Sequence, residues 1–304
     1  LLNRYYDKAG NRRAALVTAI DMAKSDRNKA ERYVYAERKA KDSKYLKQLD
    51  SLLVVYGDMP ECGEVALEKY NYISSCSDVS VADKAAFIDY ALNKWQTGRN
   101  LPRLKSEYEN LVKPEFSAMI DNTLLPNRTD SIRVTVKNLK NFKLAFTRLN
   151  LSGNTSLNPA DAPDWKKVKP LLIASSRIEI NTPVALEHEY DSKDIDVAMP
   201  KLKPGLYLVE MSADNNCLKI QRTIVAVSDV FVGRISLPEN KVRIAVVTAT
   251  TGQPLPGAKI ELWKDRNDKV KTTVDTDENG LAVVKTINGS YDLVRAYTAT
   301  DNYM

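Results

Sequence analysis

The chain has 304 residues, 43% of them hydrophobic and 28% charged, with a formal net charge of +6. That composition is the one expected of a globular protein long enough for two or three domains, and it does not suit a disordered or collagen-like chain. The weak basic excess argues against a nucleic-acid-binding surface, and no apolar run approaches the ~20 residues needed to cross a bilayer.

Residues 1 to 112 read as helical. The basic excess is concentrated early, at Lys24, Arg27, Lys29, Arg32, Arg38, Lys39, Lys41, Lys44 and Lys47, but Asp26, Glu31, Glu37 and Asp42 interrupt it. Mixed signs at helical spacing describe a solvated helix surface laced with ion pairs. Over 44–56, Tyr45, Leu49, Leu52, Leu53 and Tyr56 form one apolar stripe, which Gly57-Asp58-Met59-Pro60 stops. Segments 61–75 and 81–95 repeat the pattern with Cys62, Ala66, Tyr70 and Ile73, then Ala85, Ile88, Leu92 and Trp95. Gly98 closes the second, and 101–112 gives one further helix. Tight loops between amphipathic helices imply antiparallel helical hairpins.

Pro114 marks a change to short alternating segments, the period of a half-buried strand. A strand is expected at 132–136, paired through 138–141 with another at 143–149. Residues 152–170 read as a long polar loop; Trp165 within it is the tryptophan to test for an exposed binding role, against the expected contact between modules. Further strands are expected at 173–180, 184–190, 206–211 and 219–227. About seven strands in one stretch suit a two-sheet sandwich. A second sandwich is expected from Asp229 to Met304, with turns at Thr251-Gly-Gln-Pro254 and Asn279-Gly280. Its alternating strands begin with Val242, Ile244 and Val246, then Ala258, Ile260 and Leu262. The chain starts at Leu1 and is expected to be an excised or processed piece of a longer protein, with the second sandwich truncated at Met304.

Residues that carry chemistry are sparse. The one histidine, His188, lies between Glu187 and Glu189 in a strand-like segment, where alternation puts both glutamates on the opposite face. A surface or cross-strand role is expected, since a dyad or metal site needs further partners. Asp191, Asp194 and Asp196 lack the glycine and terminal glutamate of a helix–loop–helix calcium site, and read as a solvated loop. Asp275, Asp277 and Glu278 belong with the Asn279-Gly280 turn. Trp95 reads as core, Trp263 as a cap on its sandwich. With three cysteines at least one thiol is unpaired. Cys62 and Cys76, at the two ends of one helix, would be about 20 Å apart, beyond disulfide reach. Three free thiols are expected, and the reading assigns no catalytic, cofactor or metal residue and no cofactor.

The run Thr251-Gly-Gln-Pro-Leu-Pro-Gly-Ala258, followed by Thr276-Asp-Glu-Asn-Gly-Leu281, resembles a signature of macroglobulin-type domains in bacterial alpha-2-macroglobulin proteins. Pro204-Gly-Leu-Tyr-Leu-Val209 and Thr223-Ile-Val-Ala-Val-Ser-Asp229 are similar to strands of the same sandwiches. The resemblance implies an α+β multidomain chain: an all-helical domain over 1–112, then immunoglobulin-like, macroglobulin-type antiparallel sandwiches over 113–228 and 229–304. It implies a non-catalytic scaffold segment of a protease-trapping inhibitor, exported to the periplasm or cell envelope, peripheral or lipid-anchored at a membrane. Its partners would be proteases, through the full-length protein, and other domains of the same chain. Members of the family can carry a thioester within Cys-Gly-Glu-Gln. Here Cys62-Gly-Glu-Val65 lacks the glutamine whose carboxamide carbon forms that bond. Two alternatives stand: a cell-surface adhesion or carbohydrate-binding protein of sandwich modules, and an enzyme whose active site lies in the helical part.

Overall fold

In the computed structural model the described residues are 2–31, 37–96, 101–151, 157–213, 215, 218–263, 272–285 and 293–302. The chain divides into two compact units. The first holds Leu1–Glu115 with Val136–Asn138 and Ala185–Lys193; the second holds Phe116–Thr135, Leu139–Val184 and Asp194–Met304.

Among the described residues six helices build the first unit: α1 (Leu2–Lys8), α2 (Arg12–Glu31), α3 (Lys44–Val55), α4 (Gly63–Ile73), α5 (Val81–Lys94) and α6 (Leu101–Val112). Each packs on its successor in the chain. Local chemistry sets the ends. Ser43 caps α3 by accepting from Leu46 N, and Ser80 caps α5 by accepting from Asp83 N. Pro60 opens the 3-10 turn Pro60–Cys62 that leads into α4, where a missing N–H costs nothing. Leu16, Leu49, Val65, Ala66, Ile88 and Leu104 are fully buried in one core, which also holds Tyr45, Tyr70, Tyr72 and Trp95. Gly98 falls outside the described residues.

The second unit opens with a three-stranded sheet in the order β1 (Glu115–Met119), β3 (Ser131–Lys137), β6 (Ser192–Ala198). Beside it is a five-stranded sheet in the order β2 (Thr123–Leu124), β8 (Gln221–Val227), β7 (Gly205–Ala213), β4 (Asn141–Arg148), β5 (Ile178–Pro183). Its pairs are antiparallel except β2–β8, which is parallel. Ile132, Val134 and Val136 bury one side of β3, and Phe142, Leu144 and Phe146 one side of β4. Two sheets with dry inner faces make the first sandwich.

The strand expected at 173–180 begins only at Ile178, after a 3-10 turn at Ala174–Ser176. Three further expectations need correction. First, the strands at 132–136 and 143–149 do not pair: β3 and β4 lie in different sheets. Both have a dry face, so alternation alone fits either pairing or sheet-switching. Second, 184–190 is not a strand. The chain turns there, with Asp191 N donating to His188 O and Tyr190 at φ +69°, a left-handed conformation that ends extended backbone. Third, the expected polar loop contains α7 (Ala162–Val168) and a 3-10 turn at Lys169–Leu171. Leu157, Trp165, Val168, Leu171 and Leu172 form a small core with Leu149, Leu206, Leu208 and Ile224, on the outer side of β7 and β8. The Arg222 guanidinium sits 4.1 Å from the ring centroid of Trp165, whose side chain is half-buried.

The second sandwich faces a sheet β13 (Leu281–Lys285), β10 (Lys241–Thr248), β9 (Val230–Leu237) with a sheet β12 (Thr272–Asp275), β11 (Lys259–Trp263), β14 (Leu293–Tyr297). Val242, Ile244, Val246, Ala258, Ile260 and Leu262 fill the space between them. The expected alternation is thus realised residue by residue. Entry and exit of this module meet: Asp229 N donates to Asp301 Oδ2 (2.7 Å), while the Asp229 carboxylate accepts from Thr250 N and Oγ1. Asp301 is buried, and its Oδ1 takes no hydrogen bond among the described residues.

Candidate functional site

The signature residues of the second sandwich knit two turns together. Gly280 has φ +69°, and a Cβ there would lie 2.6 Å from Val246 O and 2.9 Å from Leu255 N. Only glycine fits both the left-handed backbone and that approach. The approach brings Val246 N to Gly280 O (2.8 Å) and Leu255 N to Val246 O (3.0 Å). Thr276 Oγ1 donates to Leu255 O (2.6 Å) and accepts from Ala258 N (2.9 Å). Asp277 Oδ1 accepts from Asn279 N and Leu281 N, closing the turn. In the other turn Gly252, at φ +70°, donates to Thr248 O, and Gln253 N donates to Thr248 Oγ1. The Thr276 hydroxyl and Asp277 Oδ1 are thus spent on backbone hydrogen bonds that hold the fold.

The matching strand of the first sandwich behaves alike. A Cβ at Gly205 would lie 2.9 Å from Arg148 Nε, whose guanidinium donates to Pro204 O. Tyr207 donates its hydroxyl back to Lys203 O (3.0 Å).

The structure scatters the other sequence candidates. His188 is exposed in its turn. Asp194 and Asp196 lie not in a loop, as expected, but on the strand β6, where they accept from Thr135 Oγ1 and Arg133 Nε of β3. Asp275 faces Lys259 across β11–β12 (3.4 Å). Among the described residues no group of three His, Cys, Asp or Glu side chains could hold a metal ion. Trp95 is buried and donates Nε1–H to Gly57 O (3.0 Å). Trp263 is half-buried at the end of β11. Cys62 and Cys76 are buried free thiols; Cys217 lies outside the described residues. Burial pushes the Cys62 thiol up to about 11, the opposite of an activated nucleophile, and Val65 beside it is fully buried.

A cleft of about 570 Å³ in the helical unit has the size of a ligand site, and the sequence reading missed it. Asp26, Arg27 and Glu31 of α2 line it with Asp42, Ser43, and Lys44, Tyr45 and Gln48 of α3. Tyr72 of α4 completes the lining. Tyr45 and Tyr72 stack edge to face (5.2 Å), with Arg27 4.9 Å above the first ring and Arg38 5.8 Å above the second. Their hydroxyls are committed: Tyr45 donates to Glu68 (3.2 Å) and Tyr72 to Glu31 (3.1 Å), which also pairs with Arg38. Burial, then Glu68, pushes the Tyr45 phenol up to about 12, so it gives up no proton near neutrality. The lining has no cysteine or histidine, and its one serine hydroxyl, Ser43, is the α3 cap. The cleft can hold a polar group but has no nucleophile beside a base. Its signal in the sequence was an Arg–Tyr pairing across helices, which single-helix periodicity does not report.

A family model described as SpaA, prealbumin-like fold domain, matches residues 240–304. β9, which precedes that range, pairs with β10 from Leu237–Lys241 to Val230–Thr248, so the folded module begins before the matched residues. No curated protein sequence matches the chain. Among solved structures, native alpha-2-macroglobulin from Escherichia coli spanning domains MG0-NIE-MG1 is similar at 16% identity and TM-score 0.45, over 62% of each chain. The NIE-MG1 structure from the same organism is similar at 16% identity and TM-score 0.45, over 62% of this chain and 95% of that one. Salmonella alpha-2-macroglobulin reacted with methylamine is similar at 12% identity and TM-score 0.41, over 62% of this chain and 11% of that one. The matched region thus spans 62% of the first of these structures and about a tenth of the last.

Proposed function

We propose that residues 1–304 form a non-catalytic scaffold segment of a bacterial alpha-2-macroglobulin-like protease trap. One observation carries the non-catalytic part. The turn residues most specific to the chain, Thr276, Asp277 and Gly280, spend their hydrogen bonds and their space on joining strands of the second sandwich. Residues fixed by such demands specify a module rather than a site. The choice of family is supported by the resemblance of 251–258 and 276–281, and of 204–209, to macroglobulin-type domains. On this reading the protein is exported to the periplasm or cell envelope, where proteases are met through the whole polypeptide. Attachment to a membrane is peripheral or through a lipid. The helical unit and both sandwiches serve as spacer and frame for neighbouring domains of the same chain.

The test is physical capture. The natural full-length polypeptide is mixed with trypsin and separated by size. Trypsin that co-elutes with the large species and still cleaves a small chromogenic peptide supports the proposal. Trypsin that elutes free, with the polypeptide intact or merely degraded, rejects it.

A further inference from the structure

The second sandwich is tied at one end by two aspartates. Asp229 precedes β9 and Asp301 follows β14, and Asp229 N donates to Asp301 Oδ2 (2.7 Å). The Asp229 carboxylate accepts from Thr250 N at Oδ1 (2.8 Å) and from Thr250 Oγ1 at Oδ2 (2.9 Å), so each of its oxygens keeps a lone pair free. Asp301 N donates to Thr298 Oγ1 (3.0 Å) and Thr298 N to Asp301 O (2.8 Å), which carries the second carboxylate on a closed turn. Asp301 leaves only 7% of its surface exposed. Its Oδ1 is sealed from solvent and takes no hydrogen bond among the described residues. Neither carboxylate has an ion pair among those residues, so two negative charges meet at this junction with no cation beside them. Charges buried in a folded protein are paired or coordinate a metal.

We propose that the Asp229–Asp301 junction is a weak calcium site, with Asp301 Oδ1 and an Asp229 carboxylate oxygen as its anionic ligands. An ammonium or guanidinium from another chain has no path to a sealed Oδ1, whereas a bare metal ion needs much less room. The polar side-chain atoms on these turns, of Asp229, Thr250, Thr298 and Asp301, are all oxygens, which suits a hard cation and not zinc. Magnesium demands a near-ideal octahedron and sheds water reluctantly; calcium accepts irregular oxygen sets on turns. Among the described residues no third His, Cys, Asp or Glu joins the two carboxylates in a metal-binding group. Low ligand charge places the site with loosely held ones, Kd about 10⁻⁴–10⁻³ M. The ion would fasten the entry of the module to its exit. The inference does not depend on the protease-trap reading.

The experiment strips the natural polypeptide with chelator, adds calcium alone and follows amide exchange at Asp229 and Thr250. An ion that binds only the closed junction slows exchange by the factor 1 + [Ca²⁺]/Kd, about tenfold at ~10 mM for a Kd of ~1 mM. That slowing is expected, and neither magnesium nor sodium chloride at equal ionic strength should reproduce it. Asp301→Asn keeps an oxygen for Asp229 N but loses the charge, so the response should vanish while exchange at Ile244 and Val246 stays at the wild-type rate. If that variant loosens β10, Asp229→Asn decides, by raising the half-effect concentration about tenfold or more. Asp194→Asn, a carboxylate on β6, should change nothing. No slowing in the wild type, equal slowing by magnesium or sodium, or a response that survives both Asp301→Asn and Asp229→Asn overturns the proposal.

Discussion

Replacing Gly280 with alanine tests whether the signature is a structural lock. The left-handed backbone alone costs an L-residue about 1–2 kcal/mol. The added Cβ would also meet two backbone atoms, Val246 O at 2.6 Å and Leu255 N at 2.9 Å, which cannot rotate away as a side chain can. Relief means parting the two hydrogen bonds made there, Val246 N to Gly280 O and Leu255 N to Val246 O, at about 1 kcal/mol each. The sum is about 3–4 kcal/mol. Gly252→Ala is the matched control: its φ is +70°, but no atom lies within 4 Å of the built Cβ, so only the backbone cost of about 1–2 kcal/mol applies. Native-state amide exchange at Ile244, Val246 and Ala282 reads the stability of this sandwich separately from the helical unit. Protection at these amides should drop about a hundredfold or more in Gly280→Ala and about tenfold in Gly252→Ala. Equal losses in the two variants, or a Gly280→Ala within about 0.5 kcal/mol of wild type, would refute the lock.

The helical unit should weaken in alkali. Burial raises the Tyr45 and Tyr70 phenols to about 12, above the ordinary value near 10, so their contribution is intact below pH ~10 and is lost as pH rises toward 12. Helical circular dichroism should fall over that window, and less so in a Tyr45→Phe, Tyr70→Phe variant; identical profiles would contradict it. Asp58 responds in the other direction. Its hydrogen bonds from Arg12 hold the carboxyl below the usual range, so the contribution stands above pH ~4 and disappears as pH falls through the lowered value. Asp58→Asn should therefore flatten the acid limb of a stability–pH curve while changing little at higher salt. Trp165→Ala removes the ring that stacks on Arg222 and fills the outer core of the first sandwich. It should cost about 2–3 kcal/mol by chemical denaturation, and an effect under about 0.5 kcal/mol would return Trp165 to a surface role.

The sequence was most legible where side-chain period and turn chemistry agreed. Lys44–Val55 shows a helical stripe with a clear end, and Val242–Val246 and Ala258–Leu262 alternate cleanly between Gly-containing turns. Strand partners were not legible. Ile132–Val136 alternates whether its neighbour is β4 in the same sheet or, as found, in the other one, because both arrangements bury the same face. The helix at 162–168 was hidden by its polar composition. Its few apolar residues, Trp165, Val168 and then Leu171 and Leu172, do recur at helical spacing, and that spacing was the usable signal. Segment 184–190 misled because a left-handed Tyr190 leaves no trace in an apolar–polar pattern. The cleft depends on Arg27, Arg38, Tyr45 and Tyr72 meeting from distant positions, and the junction carboxylates depend on Asp229 and Asp301 meeting across a whole module. Neither is a property of one segment.

The most direct trial of the scaffold reading compares the chain with the whole polypeptide in one protease assay. Trypsin is titrated with each, and hydrolysis of a large protein substrate is followed beside that of a small peptide. The account predicts that the full-length protein suppresses the first and spares the second, while residues 1–304 alone change neither and hydrolyse nothing themselves. Inhibition of both substrates by residues 1–304, or turnover of any substrate by them that a single side-chain change abolishes, would contradict it.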